Sequence, residues 1–146
     1  MDIRRWLRQY TQELMNTKSS PESTASGFAL GTLVAILPTW GFSLILGLLL
    51  VLIFRRISKL AVLAALLIWN PLTLIPVYGL SYKIGDAVFG QAEVIKYNIV
   101  LLDQAFNFSR RFLIGLVILA VVISAASFLI VWLFAKFYHK RRLRAA

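Results

Sequence analysis

Polar and apolar positions along this chain fall into long blocks rather than short alternations. Residues 28–54, 60–82 and 112–135 contain no Asp, Glu, Lys, Arg or His. Each block exceeds the roughly 20 residues that carry a helix across a hydrocarbon core about 30 Å thick. The blocks predict membrane segments, so the chain reads as an all-α integral membrane protein. It combines two Pro-interrupted helical segments, one spanning helix and amphipathic interfacial helices.

The interruptions are specific. A straight helix over 28–54 would run about 40 Å, longer than the core, whereas a break at Pro38-Thr39-Trp40-Gly41 leaves two halves of about 15–20 Å. Half-length helices joined at a Pro-Gly turn predict a re-entrant hairpin, with a kinked single span as the alternative. The second block repeats the device at Asn70-Pro71, with Pro76 beyond it; proline clashes with the preceding turn and pushes the residue before it out of helical geometry. Non-helical backbone is therefore expected at 38–41 and 70–73. Unwound backbone at mid-membrane must be buried in protein or line a cavity, because lipid cannot hydrogen-bond it. Two such segments in one short chain point to a shared site.

The flanks complete a single membrane domain over 1–146. Residues 1–19 read as an interfacial helix, with Ile3, Trp6, Leu7, Tyr10 and Leu14 along one face. Residues 20–54 form the interrupted hairpin, where Ser20 caps a helix that has Pro21 at its first position and Glu22 in its first turn. Residues 60–85 form the second interrupted segment. Over 86–109, Val94, Tyr97, Leu101, Ala105 and Phe108 recur three or four apart, which predicts an interfacial helix. Residues 110–138 form the transmembrane helix, with Gly115 and Ser124-Ala-Ala-Ser127 as a small-residue face, and 139–146 form a basic tail.

Composition agrees with this pattern and narrows the chemistry. Hydrophobic residues make up 60% of the chain and mean hydropathy is +0.78. With only 16 Lys and Arg and 6 Asp and Glu, a soluble fold could not clothe so much apolar surface. The net charge of +10 invites a nucleic-acid reading, but the charges flank the apolar blocks: Arg4, Arg5, Arg8 and Lys18 before the first, Arg55, Arg56 and Lys59 after it, and Lys136, Lys140, Arg141, Arg142 and Arg144 at the end. That is positive-inside anchoring on anionic lipid, and no nucleic-acid partner is expected. Placing all three clusters in the cytoplasm makes the first segment re-enter and the other two cross, as a multi-pass protein of the bacterial inner membrane. No cleavable signal peptide is expected, because the first apolar run starts only at Phe28 and is too long.

Catalytic groups are sparse. There is no cysteine, and the single histidine, His139, lies within the basic tail. All six carboxylates, Asp2, Glu13, Glu22, Asp86, Glu93 and Asp103, fall outside the charge-free blocks. No acid pair, nucleophile triad, metal-ligand spacing or phosphate loop appears, so no enzyme activity, cofactor or metal is expected.

The order Ser20-Pro21, Ala25, Gly27-Phe28-Ala29-x-Gly31, Pro38-x-x-Gly41, Asn70-Pro71-x-Thr73-x-x-Pro76-x-Tyr78 and Tyr82-x-x-Gly85 resembles domain of unknown function 2062, a bacterial membrane family. Ser43 and Ser58 stand where that pattern leads one to expect amides. The resemblance implies a membrane location and no established activity; fusion of similar domains to glycosyltransferases hints at lipid-linked sugars or their carriers. From the residues, the expected function is binding or translocation of an anionic lipid or polyprenyl-phosphate-type amphiphile at the paired breaks. Thr39, Ser43, Asn70, Thr73 and Tyr78 would supply polar groups and Arg55 and Arg56 the headgroup charge, while Pro38, Gly41, Pro71 and Pro76 shape the breaks. The alternative is a non-transporting scaffold or accessory subunit for an envelope or glycosyltransferase enzyme. Expected partners are membrane lipids, anionic ones above all, and a second copy or another membrane protein.

Overall fold

The computed structural model describes residues 3–5, 20–39, 41–90 and 99–145; residues 3–5 are helical and exposed, and the rest of the predicted interfacial helix at 1–19 lies outside the described residues. Five helices follow: α1 (Pro21–Ile36), α2 (Ser43–Ile53), α3 (Lys59–Ile68), α4 (Pro71–Phe89) and α5 (Val100–Ala145). No strand occurs among the described residues.

Local chemistry sets the boundaries. Ser20 caps α1 as predicted, its Oγ accepting the Ser23 N–H at 3.2 Å, with Pro21 at the first position. Leu37 and Asn70, each preceding a proline, have ψ of 145° and 169°, so α1 ends before Pro38 and α3 before Pro71. Gly41, at φ +92°, closes the first turn. The second break is tighter than predicted, because helix resumes at Pro71 itself, and Pro76 lies inside α4 without ending it. α3 and α4 are bent by 73° across the break. The predicted boundary at 85/86 is absent: α4 runs to Phe89 and stops at Gly90, whose φ is +60°. Of the predicted interfacial helix at 86–109, residues 86–89 belong to α4 and residues 100–109 to α5, since no Pro or Gly falls between Val100 and Ile114 to interrupt it.

Packing turns these helices into a bundle seamed by small residues. α2 folds back beside α1: the Ser58 N–H donates to the Ser23 carbonyl at 3.1 Å and Ser23 Oγ donates to the Arg56 carbonyl at 2.5 Å. α3 then runs parallel to α1. Gly27 and Gly31 face Ser58, Ala61, Val62 and Ala65 so closely that a Cβ on Gly27 would stand 2.6 Å from the Ser58 carbonyl oxygen. Such small-xxx-small faces bring helix backbones into close dispersion contact.

α5 runs antiparallel to both α1 and α4. Trp132 Nε1 donates to Glu22 Oε1 at 3.4 Å and Ser124 Oγ to the Ala29 carbonyl at 2.7 Å. Toward the other end of α5, Gly115 packs on Ser81 and Gly85 on Arg111. α1 and α4 meet where buried Ile36, Leu74, Val77, Leu116 and Ala120 form the core.

The outside is apolar. Leu44, Leu48 and Leu52 of α2 are 65%, 63% and 67% exposed, and Val121, Leu129, Ile130 and Phe134 of α5 are also exposed. By length and composition α5 is able to cross a membrane, and only 17% of its most apolar window is buried, unlike the core helix of a soluble protein. The bent α3–α4 pair passes the same test only if counted as one span.

Candidate functional site

The two breaks share a cavity of about 440 Å³. From the first break come Leu37, Pro38, Thr39, Gly41 and Ser43; from the second, Trp69 and Pro71; Ala35, Leu74, Tyr78 and Phe112 close the walls. The volume lies within the range of small-molecule pockets. The lining is mainly apolar, with the hydroxyl-bearing Thr39, Ser43 and Tyr78 distributed among Trp69, Leu74 and Phe112. No charged residue appears among the described lining residues.

Each break satisfies its own backbone differently. At the second, Asn70 Oδ1 accepts the N–H groups of Leu72 at 2.9 Å and Thr73 at 3.1 Å. Thr73 Oγ1 lies 2.8 Å from the Ile68 carbonyl and 2.9 Å from the Asn70 carbonyl, so it staples the end of α3 to the start of α4. At the first, the Thr39 N–H donates to Leu37 at 2.7 Å and the Phe42 N–H to Thr39 at 2.9 Å, while α2 begins without a side-chain cap. Trp69 Nε1 ties the two segments together by donating at 3.1 Å to Oγ1 of Thr32, which is fully buried.

The predicted site residues therefore separate into three groups. Thr39, Ser43, Tyr78, Pro38, Gly41 and Pro71 converge on the cavity. Asn70 and Thr73 cap the second break and stand outside the cavity lining, because the start of Asn70's own helix offers it the nearest unpaired donors. Arg55 and Arg56 sit at the far end of α2, an eleven-residue helix about 16 Å long. There the Arg56 carbonyl meets Ser23, level with Trp132 and the approach to the basic tail. Pro76 is an exposed interior residue of α4.

The breaks are not at the middle of the apolar length. Phe112, which lines the cavity, is the first residue of the charge-free block of α5 and Lys136 follows its last, a separation of about 36 Å along the helix. The cavity thus lies at the end of that block farthest from the basic tail. Trp69, Leu74 and Phe112 were not singled out in the sequence; an aromatic directly before Asn70-Pro71 was the available signal for Trp69.

Glu22 precedes the charge-free block that begins at Phe28. Its carboxyl is held below the ordinary carboxylate range, first by its own backbone N–H at the helix start and then by the Trp132 indole N–H. Among the described residues no group of three or more His, Cys, Asp or Glu is placed to hold a metal ion.

A family described as uncharacterized protein conserved in bacteria matches residues 4–144, nearly the whole chain. No curated protein and no solved structure matches.

Proposed function

The chain belongs to the bacterial family DUF2062, and we propose that it is a multi-pass inner-membrane protein that binds a lipid-type amphiphile in the cavity between its two broken helices. The observation that carries this is the cavity itself: two non-helical turns from separate segments meet around one apolar space that three hydroxyl-bearing side chains border. The apolar exterior of α2 and α5 supports a lipid environment, since a water-soluble bundle would bury those residues.

The α1–α2 pair serves as a re-entrant hairpin in this arrangement, and the cationic ends at Arg55–Lys59 and Lys136–Arg144 share the cytoplasmic surface. A single headgroup cannot touch both those arginines and the cavity. Arg55 and Arg56 therefore engage anionic lipid at one surface, and the amphiphile occupies the cavity toward the other.

Mass spectrometry of the protein extracted from its native membrane in mild detergent tests the assignment. Ser43→Phe fills the cavity and should abolish stoichiometric copurified lipid, whereas Leu48→Phe on the exposed face of α2 should retain it. Equal lipid content in both variants, or a stoichiometric protein partner in place of lipid, would refute the proposal and favour the scaffold.

A further inference from the structure

The helices that border the cavity are held unequally. α4 and α5 cross backbone to backbone: a Cβ on Gly115 would overlap the Ser81 carbonyl oxygen, and one on Gly85 the Arg111 carbonyl oxygen. α1 is seated on α3 through Gly27 and Gly31, and on α5 through the hydrogen bond of 2.7 Å from Ser124 to the Ala29 carbonyl. The Trp69 indole, 3.1 Å from the Thr32 hydroxyl, locks the second break to α1. Side-chain rotation does not release contacts between backbones, so these walls are fixed.

α2 is the exception. It brings Ser43, its first residue, to the cavity wall. Of its eleven residues only Gly47 is buried, and what Gly47 meets on α3 is side chain: an added Cβ would lie 2.6 Å from Leu66 Cδ1 and 3.6 Å from Val62 Cγ1. No side chain caps its start. Its other end is tied down, where the Ser58 N–H reaches the Ser23 carbonyl and Ser23 Oγ reaches that of Arg56. At the cavity end stands Gly41, with φ of +92° and nothing within 4 Å of an added Cβ, so the backbone there turns without a side chain in the way. Lifting so apolar a helix from its neighbour in water would expose leucines. In a bilayer the same movement exchanges protein contact for lipid contact, because acyl chains are as apolar as leucine. What opposes it is the set of dispersion contacts around Gly47.

We infer that α2 is a lateral gate: its Ser43 end swings outward about its Arg56 end, Gly41 absorbs the change of backbone direction, and the lipid enters the cavity sideways from the bilayer. This rests on the cavity being the lipid site and adds the route into it. The chain has no cysteine, so an engineered pair has no competitor. Gly47→Cys with Val62→Cys joins α2 to α3, since the 3.6 Å from an added Cβ to Val62 Cγ1 is close to the separation a disulfide spans. Trp6→Phe, Trp40→Phe and Trp132→Phe leave Trp69, in the cavity wall, as the sole tryptophan. Bromine on an acyl chain quenches a nearby indole. The protein in mild detergent is mixed with micelles that contain phosphatidylglycerol brominated on an acyl chain, and the rate of Trp69 quenching is followed.

Oxidation of the pair should slow quenching about tenfold or more, and reduction should restore the rate of the protein without the pair. Leu66→Ala withdraws the side chain against which Gly47 packs; it should speed quenching about threefold, and it serves where the disulfide fails to close. Equal rates in the oxidised and reduced proteins, or no acceleration in Leu66→Ala, would overturn the gate. Ser43→Phe separates this outcome from failure of the cavity assignment. If it abolishes quenching while the oxidised and reduced rates match, the cavity stands and the gate falls. If it is quenched as fully as the parent, the lipid lies elsewhere and both fall.

Discussion

Replacing Gly115 by alanine tests the α4–α5 seam most directly. A Cβ at this position would overlap the Ser81 carbonyl oxygen and stand 2.7 Å from its carbon and 2.8 Å from the Gly85 nitrogen. All three are backbone atoms of α4, so no side-chain rotation relieves the clash. The helices must part by about 1 Å or more, and a gap of that size forfeits a quarter to a half of each dispersion contact along the seam. Overpacking of this kind costs about 3 kcal/mol, set against about 1 kcal/mol gained from alanine's better helix propensity, for a net loss of about 2 kcal/mol. That corresponds to a fall in Tm of about 4–8 °C for a protein near this size. Gly79 provides the control, because nothing lies within 4 Å of its added Cβ and Gly79→Ala should leave Tm unchanged or raise it. Both proteins can be followed in detergent by intrinsic fluorescence on heating. Equal Tm values for the two variants would refute the backbone-to-backbone crossing.

Three further outcomes follow from named contacts. Asn70→Leu removes the cap on α4 and should cost about 1–2 kcal/mol of stability while leaving lipid content per folded molecule intact; Asn70→Ser should recover most of it, and a lipid loss without a stability loss would show a ligand role instead. Trp69→Phe strands the buried Thr32 hydroxyl and should cost about 1–3 kcal/mol, and adding Thr32→Val should restore part of that; additive losses on thermal melting would mean the bond is not formed. Because the Glu22 carboxyl titrates lower when folded, its contribution is complete above the unfolded value and is lost as pH falls through the folded one. The stability difference between wild type and Glu22→Gln should therefore shrink on acidification below about pH 4, and a difference that grew there would contradict the pairing with Trp132.

Proline and cap chemistry made much of this architecture legible in advance. Pro38 and Asn70-Pro71 marked both breaks, and Ser20-Pro21 marked the start of α1, because steric exclusion before proline and orphan N–H groups act over a few residues. The meeting of Thr39, Ser43 and Tyr78 in one cavity was also foreseeable from the rule that unwound backbone needs a buried setting. The depth of that cavity was not. It depends on the register of α1 against α5, fixed by contacts such as Ala29 with Ser124 and Ile36 with Leu116, 80 or more positions apart in the chain. The same register separates Arg55 and Arg56 from the breaks, whereas their closeness in sequence had suggested one site. Asn70 is expected from the sequence among the polar groups of the site, yet two donors of its own helix are nearer.

The antiparallel seating of α1 on α5 also bears on the order of events during synthesis. α5 leaves the ribosome after the other four helices, yet it supplies the hydroxyl that reaches the Ala29 carbonyl, the indole that reaches Glu22, and the residues Leu116 and Ala120 that join Ile36 to Leu74 and Val77. Until it arrives, the nascent hairpin and α4 lack the Leu116 and Ala120 side chains of their shared core, and the cavity lacks its Phe112 wall. Completion of the bundle therefore waits on the last of these five helices to be made. A ribosome stalled before the codon for Gly115 would present a half-built intermediate in which the Ser81 and Gly85 face of α4 stands uncovered.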